Sequence, residues 1–259
     1  MGERTSYAPG TPSWVDLGTD VESAKTFYTS LFGWTVEEAG PPEETGGYAM
    51  FTQGGKNVAG LGPQQNPGPP FWTTYVTVTD ADATATKVKE AGGQVVMDPM
   101  DVMEAGRMAV FQDPEGAFFS VWQAGQHIGA GLVNEPVSLS WNELNTRNLD
   151  QAKQFYGEVF GWECVTQDMG GGMTYTEIKV DGNSAGGMMD MTGRVPDMVP
   201  AHWLVYFAVA DTDATVAKAQ ELGGSVMVPP VDIPPGRFAV IADDKGATFA
   251  VIKMNEPQP

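Results

Sequence analysis

Ala24-Lys25-Thr26-Phe27-Tyr28-Thr29-Ser30-Leu31-Phe32-Gly33-Trp34 returns 128 residues later as Ala152-Lys153-Gln154-Phe155-Tyr156-Gly157-Glu158-Val159-Phe160-Gly161-Trp162. Other matches follow in the same order. Ser13-Trp14-Val15-Asp16-Leu17 recurs as Ser140-Trp141-Asn142-Glu143-Leu144, Trp72 to Thr84 as Trp203 to Thr215, Gly92-Gly93 as Gly223-Gly224, and Gly106-Arg107 as Gly236-Arg237. A repeat of this length is one domain written twice. The domains are expected over residues 8–125 and 138–255, with the Gly-rich, unperiodic residues 126–137 as linker.

Within each copy, apolar periodicity alternates between helix and strand. Val21, Ala24, Phe27, Tyr28 and Leu31 fall at helical spacing behind the N-cap candidate Asp20, and Gly33 ends the run. Further helices are predicted over 81–91 and 211–222, each behind an Asp and stopped by paired glycines. The runs 48–51, 72–78, 108–111 and 118–122 are β-rich and bounded by Gly, Pro and Asp. Strand and helix followed by several strands, done twice per copy, is an α+β plan and not a doubly wound parallel sheet.

Composition excludes several partners. The net charge is −19, with six basic against sixteen acidic residues in 1–129 (−10) and eight against seventeen in 130–259 (−9). Both halves therefore repel phosphate backbones and anionic membranes; the field favours a cationic ligand, and a charged shell that only keeps the protein in solution is the equal alternative. The opening MGERTSYAPGTPSW lacks the apolar core of a signal peptide, and no stretch reaches the roughly 18 apolar residues of a membrane span. The single cysteine, Cys164, fits a reducing cytoplasm and rules out an intramolecular disulfide.

The first strand leading to a helix with FY and FGW, the mid-domain strand followed by D-x-D-A, the GG turn and Asp113-Pro114-Glu115-Gly116 together resemble the vicinal oxygen chelate family of glyoxalases, bleomycin-resistance proteins and extradiol dioxygenases. The resemblance runs from about Gly10 to about Met254. Trp122-Gln123-Ala124, His127 to Ala130 and Asn134-Glu135-Pro136 are similar to its two-domain hydroxylase-like or secreted-antigen-like members, whereas Asp243-Asp244-Lys245-Gly246 lacks the turn proline. The family implies two tandem domains, each of paired βαβββ units forming a cup-shaped sheet. It also implies metal ligands on three strands, which fall here on Trp14 and Trp141, Thr74 and Val205, and Ser120 and Ala250. Indole, hydroxyl and alkyl groups do not make a divalent site, so no metal or other cofactor is expected.

Strand alternation turns those positions into cup walls. Trp14 goes with Asp16, Trp72 with Thr74, Ser120 with Trp122, Trp141 with Glu143, Trp203 with Val205, and Ala250 with Ile252. By the resemblance, one cup takes Trp14, Asp16, Trp203, Val205 and Ala250, and the other takes Trp141, Glu143, Trp72, Thr74, Ser120 and Trp122. Tyr48, Met50, Met173 and Tyr175 extend the walls, and His202 is expected to turn away toward a helix. Aromatic faces around one carboxylate suit a small, flat, positively charged ligand. The expected function is therefore metal-free binding of an aromatic metabolite or antibiotic, in a resistance or accessory role. The alternative is a metal-independent lyase, isomerase or hydroxylase-like enzyme with Asp16 or Glu143 as general base. A filled cup, with each carboxylate bonded to an indole N–H, is the plain structural alternative. The two copies supply each other's interface, so a monomer is expected.

Overall fold

The computed structural model describes residues 2–65, 67–170 and 172–255, except for the side chain of Met173. The first domain runs β1 (Pro12–Thr19), α1 (Val21–Phe32), β2 (Thr35–Glu38), α2 (Pro42–Thr45), β3 (Ala49–Gln53) and β4 (Lys56–Pro63). It continues as β5 (Phe71–Thr77), α3 (Ala81–Glu90), β6 (Gln94–Val102), β7 (Gly106–Gln112) and β8 (Phe118–Ala124). The second domain repeats this as β9 (Leu139–Thr146), α4 (Leu149–Phe160), β10 (Glu163–Gly170), β11 (Met173–Val180) and β12 (Asn183–Asp190). Then come β13 (His202–Ala208), α5 (Thr212–Glu221), β14 (Ser225–Ile233), β15 (Gly236–Ala242) and β16 (Thr248–Met254).

Each domain is one curled, eight-stranded sheet, in the orders β2-β3-β4-β1-β5-β8-β7-β6 and β10-β11-β12-β9-β13-β16-β15-β14. The two βαβββ units of a domain meet where β1 runs antiparallel to β5, and β9 to β13. The predicted α+β architecture is therefore present, and both units of each cup belong to one domain.

Local chemistry sets the helices. Asp20 accepts from the Ser23 amide at 2.9 Å, Asp80 from Ala83 at 2.8 Å, Asn148 from Gln151 at 3.2 Å and Asp211 from Ala214 at 3.0 Å, satisfying otherwise unpaired N-terminal donors. Gly33 and Gly161 close α1 and α4 in left-handed backbone, at φ 74° and 73°. The buried stripe of α1 is Ala24, Phe27, Tyr28 and Phe32, matched on α4 by Ala152, Phe155, Tyr156 and Val159.

These stripes pack between the domains. Around α1 the core combines Leu17, Phe51 and Trp72 of the first domain with Phe207, Ile241 and Phe249 of the second. Around α4 it combines Leu144, Ile178 and Trp203 with Val76, Phe111 and Phe119. One face of each sheet is thus buried against helices and strands of both domains, and the opposite face is the cup face. Among the described residues no helix is long and apolar enough to cross a membrane.

Candidate functional site

Register across the central strands decides which side chains face the first cup. Trp14 pairs with Tyr75 and Asp16 with Thr73, while Tyr75 also pairs with Ser120, and Thr77 with Trp122. Paired residues share a face, so Trp14, Asp16, Thr73, Tyr75, Ser120 and Trp122 stand together. On the other side Asp16 pairs with Gly60, and Gly60 with Met50. Gly60 is required there, because a Cβ would collide with the Tyr48 hydroxyl and with Asp16 Cβ. Tyr48 thereby lies across the strand, accepting from Trp14 Nε1 at 3.1 Å and donating to Asp16 Oδ2 at 3.2 Å. Tyr75 donates to the same oxygen at 2.8 Å.

The second cup repeats this floor. Glu143 Oε1 accepts from Tyr206 at 3.0 Å, and Trp141 Nε1 donates to the Tyr175 hydroxyl at 2.8 Å. Gly187 makes room for Tyr175 as Gly60 does for Tyr48. Each cup therefore has an indole, two phenols and one carboxylate in the same relation. Neither indole bonds to the carboxylate directly, since a tyrosine stands between them, but Trp14, Tyr75 and Trp122 of the first floor and Glu143, Tyr206 and Ile252 of the second are buried, as the filled-cup alternative expects.

The walls differ. Ser120, Trp122 and Met108 of the first cup are replaced by Ala250, Ile252 and Phe238 in the second, where Leu204, Tyr206, Val240, Ala250 and Ile252 form a separate apolar cluster. His127, from the linker, enters the first cup. Its ring meets Trp14 edge-on at 4.6 Å and Trp122 at 5.7 Å, and its carbonyl accepts from Trp122 Nε1 at 2.7 Å.

Burial governs the electrostatics. It pushes Asp16 up to about 6, against the opposing hydrogen bonds of Tyr75, Tyr48 and Thr73. Burial raises Glu143 as well, opposed by Tyr175, Tyr206 and Asn145. Burial also lowers His127 to about 4, keeping it neutral at neutral pH.

Two of the expected wall pairs lie on the opposite face. Trp72 and Thr74 point into the interdomain core, where Trp72 Nε1 donates to Tyr28 at 3.2 Å and Thr74 Oγ1 to Asn142 Oδ1 at 2.9 Å. Trp203 and Val205 likewise pack in the interdomain cores, and Trp203 donates to Tyr156 at 3.0 Å. The cups are not shared between domains: Asp16 sits with Ser120, and Glu143 with Ala250. Trp14, Asp16, Ser120 and Trp122 do share a cup face, as do Trp141, Glu143, Ala250 and Ile252. His202 also departs from expectation. It pairs with Asn145, on the cup face with Leu204 and Tyr206, and its Nδ1 lies 2.9 Å from the Pro200 carbonyl. Tyr48, Met50 and Tyr175 stand in the walls; the side chain of Met173 lies outside the described residues. Thr73, Tyr75, Leu204, Tyr206 and His127 were missed. The recurring Trp-x-x-Tyr spacing carried the two tyrosines, and His127 stood in the His127 to Ala130 motif with no sign that it meets the cup tryptophans.

Exposed apolar surface is concentrated in the cups. Of the twelve large hydrophobic residues exposed among the described residues, seven are on concave faces: Phe71, Met97, Met100 and Phe118 in the first, Val165, Val228 and Val231 in the second. The family's metal does not fit these floors. Among the described residues no three His, Cys, Asp or Glu side chains converge, and one carboxylate among phenols, indole and hydroxyl is a poor divalent donor set.

Known proteins share this plan. The model of the glyoxalase/bleomycin resistance protein/dioxygenase superfamily matches residues 17–121 and 138–251. The chain is 47% identical over 262 residues to "Putative glyoxylase CFP32" of Mycobacterium tuberculosis, covering 98% of each. It is 42% identical over 272 residues to "Anthracycline biosynthesis protein DnrV" of Streptomyces peucetius, covering 98% of this chain and 97% of that one. In fold it is similar to the 2,3-dioxygenase LapB of Pseudomonas sp. KL28, with TM-score 0.65 at 13% identity over 98% of this chain and 96% of that one. It is also similar to the Mn(II)-bound glyoxalase of Novosphingobium aromaticivorans, with TM-score 0.63 at 18% identity over 100% and 87%. Doubled sequence, paired βαβββ sheets and matching family model place the chain in the glyoxalase/bleomycin resistance protein/dioxygenase superfamily.

Proposed function

We propose that the cups bind flat, aromatic, positively charged small molecules without a metal, and that the protein serves as a cytoplasmic, monomeric binding or accessory protein for such a metabolite or antibiotic. The observation that carries this reading is the carboxylate beneath an aromatic and apolar wall in each cup. An indole face attracts a planar cation through dispersion and cation–π contact, and the carboxylate supplies the counter-charge. The relatives named for anthracycline biosynthesis support it. Anthracyclines, as a chemical class, are fused-ring quinones that commonly carry an amino sugar. Titrating tryptophan fluorescence with a cationic anthracycline tests the reading, with quenching in the micromolar range expected. No quenching below the millimolar range would overturn it.

A second reading is favoured by the rise of Asp16 to about 6, which poises it to take a proton near neutral pH. In that case Asp16 or Glu143 is the base of a metal-independent reaction, and the relative named "Putative glyoxylase" fits an enzyme. Asp16→Asn and Glu143→Gln separate the two: a base loses turnover, whereas a counter-ion loses affinity.

A further inference from the structure

Two buried polar atoms in the first cup have no hydrogen-bond partner: Ser120 Oγ and His127 Nε2. Burying a polar group without a well-formed hydrogen bond is costly, and both atoms keep unused hydrogen-bonding capacity. The Tyr75 hydroxyl beside Ser120 gives its proton to Asp16 and turns only its oxygen, an acceptor, toward Ser120, and the His127 ring is flanked by Trp14 and Trp122, whose N–H groups are spent on Tyr48 and on the His127 carbonyl. His127 is held in place, since its amide donates to Ala105 at 3.0 Å and Ala130 N donates to Ser13 at 2.8 Å. The second cup has Ala250 where Ser120 stands and Ile252 where Trp122 stands, so its floor lacks this capacity.

We infer that Ser120 and His127 form a hydrogen-bonding subsite of the first cup that selects an oxygenated aromatic ring, Ser120 donating to a ring carbonyl and His127 accepting from a ring hydroxyl. The inference rests on the proposed binding function and adds the ligand's chemistry and the cup that reads it. Met50 and Met108, unbranched and partly exposed on the same face, are the adjustable part of the wall that admits the ring. The linker thus supplies a specificity residue to the first cup, and neither domain repeat encodes it.

The test uses two water-soluble bis(aminoalkyl)anthraquinones that differ only in a 5,8-dihydroxy pair, titrated calorimetrically against the full chain. The wild type is expected to bind the dihydroxy compound about tenfold more tightly, the scale of one to two net hydrogen bonds. Ser120→Ala, which installs the second domain's own residue, and His127→Leu should each erode that preference, lowering affinity for the dihydroxy compound more than for the deoxy compound. His127→Gln, which keeps an acceptor, should restore part of it; circular dichroism checks the fold of each variant. Equal binding of both compounds to the wild type, or a preference that survives both Ser120→Ala and His127→Leu, overturns the subsite and leaves the proposed function standing. Failure of both compounds to bind the wild type overturns the subsite and the proposed function together.

Discussion

Tyr28 of the first domain donates its hydroxyl proton to Asp243 of the second at 3.0 Å, and Tyr156 returns the same bond to Asp113 at 3.1 Å. Each tyrosine also accepts from a buried indole, Trp72 for Tyr28 and Trp203 for Tyr156. Each aspartate uses its other oxygen to hold its own closing turn, Asp243 through the amides of Lys245 and Ala247, Asp113 through those of Glu115 and Ala117. Two mirrored hydrogen-bond chains therefore cross the domain interface within shared apolar cores.

Tyr28→Phe and Tyr156→Phe should each destabilise the chain by about 1–3 kcal/mol, because each leaves a buried indole N–H and a carboxylate oxygen unpaired. Since the cores are shared, both domains should still unfold in one transition. Urea denaturation followed at two wavelengths checks this, and a separate early transition of one domain would contradict the shared core.

Asp16 and His127 impose opposite pH slopes. Asp16 is raised to about 6, so its protonated form favours the fold, and that stability fades as pH climbs from the ordinary carboxylate range through 6. His127 is lowered to about 4, so its stability is present above the usual histidine value and is lost as pH falls toward 4. Each contributes at most about 3 kcal/mol, and in the wild type they largely cancel between pH 4 and 6.5. His127→Gln should therefore gain stability on acidification across this window, and Asp16→Asn should lose it. Thermal melts at several pH values test the pair, and parallel slopes in the two variants would refute the assignment.

Gly60→Ala and Gly187→Ala place a methyl group against the hydroxyls of Tyr48 and Tyr175. The expected cost is about 1–3 kcal/mol from overpacking. Displacing Tyr48 also removes a hydrogen bond that lowers the Asp16 pKa, so Asp16 should titrate higher in Gly60→Ala than in the wild type. Carboxyl-carbon NMR through the titration measures it.

Trp72→Phe and Trp203→Phe should lower stability and leave ligand quenching intact, because both indoles lie in the interdomain cores. Trp14→Phe and Trp141→Phe should reduce quenching. Fluorescence titration of the four variants distinguishes the faces, and loss of quenching in Trp72→Phe alone would contradict the observed register.

The sequence by itself determined the doubling, the α+β plan, the helix caps and the identity of the two floor carboxylates, because each is encoded in local pattern or in self-similarity. The side of β5 and β13 that looks into a cup was decided only by tertiary structure. Both are central strands buried on both faces, with an aromatic residue on each: Trp72 against Tyr75, and Trp203 against Tyr206. Alternation in such a strand has a period but no sign, and the sign comes from pairing with β1 and β9, more than fifty residues away in the chain. The entry of His127 into the first cup is equally non-local. A linker histidine acquires its surroundings only when the sheet curls and two tryptophans of that sheet close around it.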